Sequence, residues 1–280
     1  MPIHYTFELI DPGGGSAPIP VRLYQGAVAR PAPLVLHLPA GAFRTIPADA
    51  ARPVASWLAE AGAVVVSADY PAGPAHPFPD AVEAMYVLLG LLHDRRTQWA
   101  ARASTLFVAG EEAGGNLAAA LAMMARDRLG PPLAGQILLS PMLDAEMATC
   151  SIRDAEAGPV GCKWADGWAM YLVRAGDAAH PYAAPACSSR LHGLPPALVM
   201  TTPDDPMRDE SLAYAGRLRQ AGVPIQVRAF AAPNWPDALA GPVELAEPDW
   251  AGQLRANFAQ FFAAVIPNLV PARVSSGSPA

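Results

Sequence analysis

The sequence predicts an α/β fold: a mostly parallel central sheet covered by helices on both faces. Two observations carry this expectation. Apolar runs bounded by turn residues recur at 34–38, 63–68, 104–109, 135–140, 196–202 and 224–230, each of strand length. Between and after them, 47–61, 78–93, 115–129, 208–221 and 247–265 carry apolar residues at helical spacing. Strands alternating with helices imply parallel strands joined by helical crossovers. A third observation sets the scale. At 280 residues, 29.2 kDa and 52% hydrophobic, the chain can bury one large core.

The elements follow in order. Residues 5–25, with the turn Pro12-Gly13-Gly14-Gly15, read as antiparallel strands at the sheet edge. The strand–helix rhythm then runs from 34 to about 140. It breaks at 145–185, where Gly158-Pro159 precedes a helical piece around Trp164 to Val173. This reads as a cap-like insertion above the sheet. The rhythm resumes to residue 266, so 1–266 is expected to form a single domain. The Pro/Ser/Gly-rich tail 267–280 is expected to be disordered. No internal repeat is evident.

Charge and composition exclude some partners. A net charge of −6 and a pI near 5.5 argue against nucleic acid. Lys163 is the one lysine; the other basic residues are arginine or histidine. No targeting signal or apolar run of membrane length is seen, which makes a cytoplasmic protein the expectation. Cys150, Cys162 and Cys187 are odd in number and lack metal spacing, so they read as buried or incidental thiols. No His/Cys/Asp/Glu grouping suggests a metal and no cofactor motif is present; Gly13 to Gly15 form a turn, not a phosphate loop.

The most informative segment is Leu106-Phe-Val-Ala-Gly-Glu-Glu-Ala-Gly-Gly-Asn116. A strand runs into a glycine-flanked turn and then an alanine-rich helix. This is the setting of the nucleophile elbow G-x-S-x-G. Small residues at Gly110, Ala113 and Gly114 permit the sharp turn. The central residue is Glu112, where the motif has serine.

Further segments resemble the hormone-sensitive-lipase branch of the α/β-hydrolases, a carboxylesterase family, over roughly 15–265. Ser67-Ala68-Asp69-Tyr70 with Pro74-Ala75-His76-Pro77-Phe78-Pro79 is similar to its D-Y-R-L-A-P-E-H-P-F-P segment. Gly135 to Asp144 resembles its G-x-x-L-x-x-P-x-x-D strand end. Leu194-Pro195-Pro196-Ala197 and Asp205-Pro206-Met207-Arg208-Asp209-Glu210 resemble its G-L-P-P-A and D-P-L-R-D-E motifs. The resemblance implies an α/β-hydrolase fold. The family's N-terminal cap is expected to be absent, and a wide, open pocket is expected with it.

At the family's functional positions the chain departs from the pattern. Asp205 matches the triad acid, Glu112 replaces the nucleophile, and Trp235 stands where the histidine belongs. The H-G-G-G oxyanion loop corresponds to Pro39-Ala40-Gly41-Ala42, and His37 falls two residues early. The oxyanion-hole donors are backbone groups, expected at Gly41, Ala42 and Ala113. An indole N–H cannot accept a proton, and a carboxylate cannot form the serine acyl-enzyme. Glu112 itself is expected either to fold back and plug the hole or to act as a general base or acid. Three readings stay open. The first is a pseudohydrolase holding a small apolar or carboxylic ligand, a case that the gibberellin receptor resembles. The second is a repurposed lyase, dehydratase or cyclase using Glu112 as general acid or base. The third is a weak carboxylic-ester hydrolase. Alkylation of the carboxylate, as in haloalkane dehalogenases and epoxide hydrolases, would stall without the histidine.

Asp205 is expected to bond backbone or the Trp235 indole, and it could share a pocket floor with Glu112. Glu111 reads as structural, and Arg208 and Asp209 as a scaffold ion pair. His76 reads as structural, His93 and His180 as surface residues. Trp164, Trp168 and Tyr171 form one helical face that either packs or roofs the pocket. Family relatives pair through the last strand and helix, so a homodimer would use 224–230 and 247–265.

Overall fold

A computed structural model describes residues 5–26, 31–45, 47, 50, 52–156, 159–232, 235–240 and 247–266. Its sheet contains β1 (Tyr5–Ile10), β2 (Ile19–Gln25), β3 (Leu34–Leu38), β4 (Val64–Ala68), β5 (Leu106–Glu111), β6 (Gly135–Leu139), β7 (Ala197–Thr201) and β8 (Ile225–Ala229). Their spatial order is β1-β2-β4-β3-β5-β6-β7-β8. The first two pairings, β1–β2 and β2–β4, are antiparallel, and every later one is parallel. Strands β3 to β7 are buried along their whole length. Burial on both faces explains their unbroken apolar runs.

The helices are α1 (Pro53–Glu60), α2 (Asp80–Asp94), α3 (Ala113–Asp127), α4 (Cys150–Glu156), α5 (Pro159–Tyr171), α6 (Arg208–Gln220), α7 (Trp235–Ala240) and α8 (Ala251–Val265). Alternate strand residues feed two cores. Leu36, Val66, Val108, Leu138 and Val199 face the side covered by α2, α3, α5 and α6. Val35, Val65, Phe107, Ile137 and Leu198 face the side covered by α1, α7 and α8. The period-2 alternation of strand side chains divides the sequence between the two layers.

Several boundaries differ from expectation. α1 starts at Pro53, not 47. Proline is tolerated in a first turn because the N–H it lacks has no intrahelical acceptor there. α8 starts at Ala251, after a turn in which the Ala251 N–H bonds the Pro248 carbonyl. Segment 145–185 contains two helices rather than one short piece, and α5 begins at Pro159. Cys150 and Cys187 are free and exposed, so of the two readings, buried or incidental, burial does not hold for them. The tail 267–280 lies outside the described residues. Among the described residues no helix is long and apolar enough to cross a membrane.

Candidate functional site

The elbow forms where β5 ends beside β3 and β6, with Gly110 opposite Leu38 and Glu111 opposite Leu139. Glu112 adopts φ 54° and ψ −119°, a conformation that costs a non-glycine residue about 1–3 kcal/mol. Its backbone is pinned on several sides. Its N–H donates to the Leu139 carbonyl (3.1 Å), and its carbonyl accepts from Met142 N–H (3.0 Å) and Asn116 N–H (3.1 Å). The flanking glycines are steric necessities. A Cβ at Gly110 would meet the Gly114 carbonyl oxygen at 2.3 Å, and one at Gly114 the Leu38 carbonyl oxygen at 1.9 Å. The glycines therefore let α3 start directly against the strand ends and lift residue 112 above the sheet.

The carboxylate of Glu112 points into the expected oxyanion hole. Its Oε2 accepts from Gly41 N–H and Ala42 N–H, both at 2.8 Å. Its Oε1 accepts from the Trp164 indole N–H and lies 2.8 Å from Lys163 Nζ. Ala113, first residue of α3, is buried, but among the described residues it gives the carboxylate no hydrogen bond. Hydrogen bonds to a charged group are worth about 1.5–3 kcal/mol each, against about 0.5–1.5 for a neutral pair. A neutral ester carbonyl is thus a poor competitor for these donors.

Helix α5 closes over this arrangement. A Cβ at Gly167 would lie 2.1 Å from the Ala42 carbonyl oxygen, so the helix rests directly on the loop 39–42. Phe43 stacks on Tyr171 with centroids 4.0 Å apart and lies 5.1 Å from Trp168. Trp164, Trp168 and Tyr171 are all buried, and Glu112 is only 7% exposed. The aromatic face both packs and roofs, and the elbow is covered rather than wide open. The physical reason is Gly167, whose missing side chain allows backbone contact.

A second set of polar residues supports the loop from beneath. His37 Nδ1 lies 2.9 Å from Ser67 Oγ, and His37 Nε2 lies 2.9 Å from Glu111 Oε2. Glu111 Oε1 also accepts from Ala40 N–H at 3.2 Å. All three side chains are buried, so this Ser–His–Glu row braces the loop at Ala40 and presents no reacting atom to solvent. The structural reading of Glu111 agrees with this placement.

Asp205 and Trp235 meet through a residue that sequence reasoning missed. The Trp235 indole N–H donates to Ser140 Oγ, and Ser140 donates to Asp205 Oδ2. Thr201 Oγ1 donates to the same oxygen at 2.5 Å, and Met207 N–H to Oδ1 at 2.9 Å. The expectation that Asp205 bonds backbone is met; its link to the indole is indirect. Burial pushes the Asp205 carboxyl above its ordinary value, opposed by the hydrogen bonds from Ser140 and Thr201. Glu112 and Asp205 share no hydrogen-bond partner among the described residues. Pro233 and Asn234, part of the stretch matched to the histidine segment, lie outside the described residues.

Of the remaining side chains, His93 is half-buried beside Arg96 rather than at the surface. Arg208 Nε is 2.9 Å from Asp209, His76 is 3.5 Å from Asp80 on the surface, and His180 is exposed. The other missed residues are Lys163 and Gly167. Lys163 carried one signal, its being the chain's single lysine; Gly167 carried none.

Strand order, the elbow after β5 and the aspartate after β7 together define an α/β-hydrolase architecture. The comparisons agree: the family described as the alpha/beta hydrolase fold matches residues 35–233, and the chain belongs to it, in its carboxylesterase branch. It is similar to "Carboxylesterase NlhH" of Mycobacterium tuberculosis, 33% identical over 220 residues, covering 76% of this chain and 69% of that protein. "Esterase LipI" of Mycobacterium tuberculosis is 32% identical over 235 residues, covering 81% and 73%. Among solved structures, esterase LipW from Mycobacterium marinum superposes with a TM-score of 0.81 at 33% identity, covering 94% of this chain and 82% of that one.

Proposed function

We propose that this esterase-like protein does not hydrolyse esters efficiently and uses the site to hold a small apolar or carboxylic ligand. The observation that carries this reading is the Glu112 carboxylate seated on Gly41 N–H, Ala42 N–H, Trp164 and Lys163. In an esterase those backbone donors stabilise the oxyanion that develops on the substrate. Here they already hold a charged acceptor. At the histidine position, Trp235 spends its N–H on Ser140 and has no lone pair to take a proton. Use of Glu112 as a general base would first require breaking the bonds that hold both its oxygens.

The test is hydrolysis of p-nitrophenyl acetate and butyrate by the wild type, Glu112→Ala and Glu112→Ser/Trp235→His. The wild type is expected to turn over no faster than Glu112→Ala. Emptying the hole in Glu112→Ala restores at most the residual ~10³–10⁴-fold acceleration over water that binding and a hole supply without a triad. The double variant should exceed both. Wild-type turnover that the alanine variant abolishes would make Glu112 catalytic and overturn the reading.

A further inference from the structure

The donors around Glu112 have a shape and charge of their own. Two N–H groups converge on one oxygen at 2.8 Å each, while an indole N–H and an ammonium converge on the other. All of them donate and none accepts, so they call for an acceptor with two adjacent oxygens. The ammonium adds a demand for negative charge. Trp164 is 1% exposed, so with Glu112 withdrawn its N–H would need another buried acceptor. The Lys163 side chain is 37% exposed and marks the side of the site that faces solvent.

We propose that Gly41, Ala42, Lys163 and Trp164 form a carboxylate cradle, which Glu112 fills as an internal stand-in and a small monocarboxylic acid enters by exchange. The proposal rests on the reading that this site holds a ligand. The Glu112 backbone stays fixed by its bonds to Leu139, Met142 and Asn116, so exchange is a rotation of the side chain in which the incoming carboxylate takes over the four donors that Glu112 gives up. The incoming carboxylate meets the same donors and the same lysine charge. An ester or an amide lacks the negative charge and leaves Lys163 unpaired. Phe43, Trp168 and Tyr171 are buried against one another next to Ala42, so any tail on the incoming acid must be short and apolar.

Lys163 supplies the probe, because lysine labelled with ¹³C at Cε places one signal in the whole chain. Sodium acetate and sodium butyrate are titrated against acetamide and sodium chloride at matched ionic strength, into the wild type, Glu112→Ala and Glu112→Gln. Glu112→Ala should show a saturable shift with both carboxylates and none with acetamide or chloride. Its affinity should exceed the wild type's by about tenfold or more, since the charged internal competitor is gone. Adding Trp164→Phe should weaken that binding. Should Glu112→Ala fail to fold, Glu112→Gln gives the same reading, because its amide places a donor against the cradle's donors and competes less well than the native carboxylate. No saturable carboxylate response in a folded Glu112→Ala or Glu112→Gln protein overturns the cradle. Ester turnover on the same preparations separates the two claims: wild-type hydrolysis lost in Glu112→Ala sinks the non-hydrolytic reading, while absent turnover with absent carboxylate binding sinks the cradle alone.

Discussion

Trp235 is a large buried side chain whose polar end is fully used. Its ring packs against Phe230 and Trp250, with centroids 5.4 Å and 5.2 Å away, and its N–H bonds Ser140. That bond continues through Ser140 to Asp205, so the family's acid position survives as part of a structural relay. Trp235→Phe keeps most of the packing and removes the donor. Loss of one buried hydrogen bond and a little volume should cost about 1–3 kcal/mol in urea unfolding. A change below about 0.5 kcal/mol, the size of an ordinary surface substitution, would show that the relay does not stabilise the fold.

At the scale of elements, α5 covers the elbow. It brings Trp164 and Lys163 to Glu112 only because Gly167 lets its backbone touch the Ala42 carbonyl. Gly167→Ala places a Cβ 2.1 Å from that oxygen, and backbone cannot yield as the end of a side chain can. Helix α5 must then lift. Overpacking of this kind costs about 1–3 kcal/mol, which outweighs the gain of up to about 1 kcal/mol from alanine's better helix propensity. The expected result is lower stability together with a moved Lys163 signal. Unchanged stability and an unmoved signal would mean that α5 does not rest on the loop in solution.

For the whole molecule, buried carboxyls set part of the response to pH. Burial raises Glu210 well above its ordinary value, opposed by the N–H groups of Leu143 and Asp144, which it accepts. A carboxyl raised in the folded state holds its proton where the unfolded chain has lost it. Its contribution to stability is therefore fully present below the unfolded value, about 4.3, and declines as pH rises through the folded value. The stability advantage of the wild type over Glu210→Gln should be larger at pH 4 than at pH 7, by urea unfolding at the two pH values. The reverse order would contradict a raised Glu210. The two sheet edges also differ in character. β1 exposes Tyr5, Phe7 and Leu9, whereas β8 is tied to α8 through Arg228 and Asn257, 3.0 Å apart.

The sequence by itself determined the sheet, the order of strands and helices along the chain and the position of the elbow. Those depend on hydrophobic period and on glycines at fixed spacing, which are local properties. It also placed Glu112, Asp205, Trp235, Gly41 and Ala42 at motif positions, because each lies within a segment that resembles a family motif. Helix starts at Pro53 and Pro159 were missed, since periodicity does not mark where capping overrides propensity. Only the tertiary structure decided which groups meet the Glu112 carboxylate. Lys163 and Trp164 lie about fifty residues beyond Glu112 in the chain, and Ser140 lies 95 residues before Trp235. No local pattern links such positions; their meeting depends on how α5 and α7 pack on the sheet, and that packing brings the donors to the carboxylate.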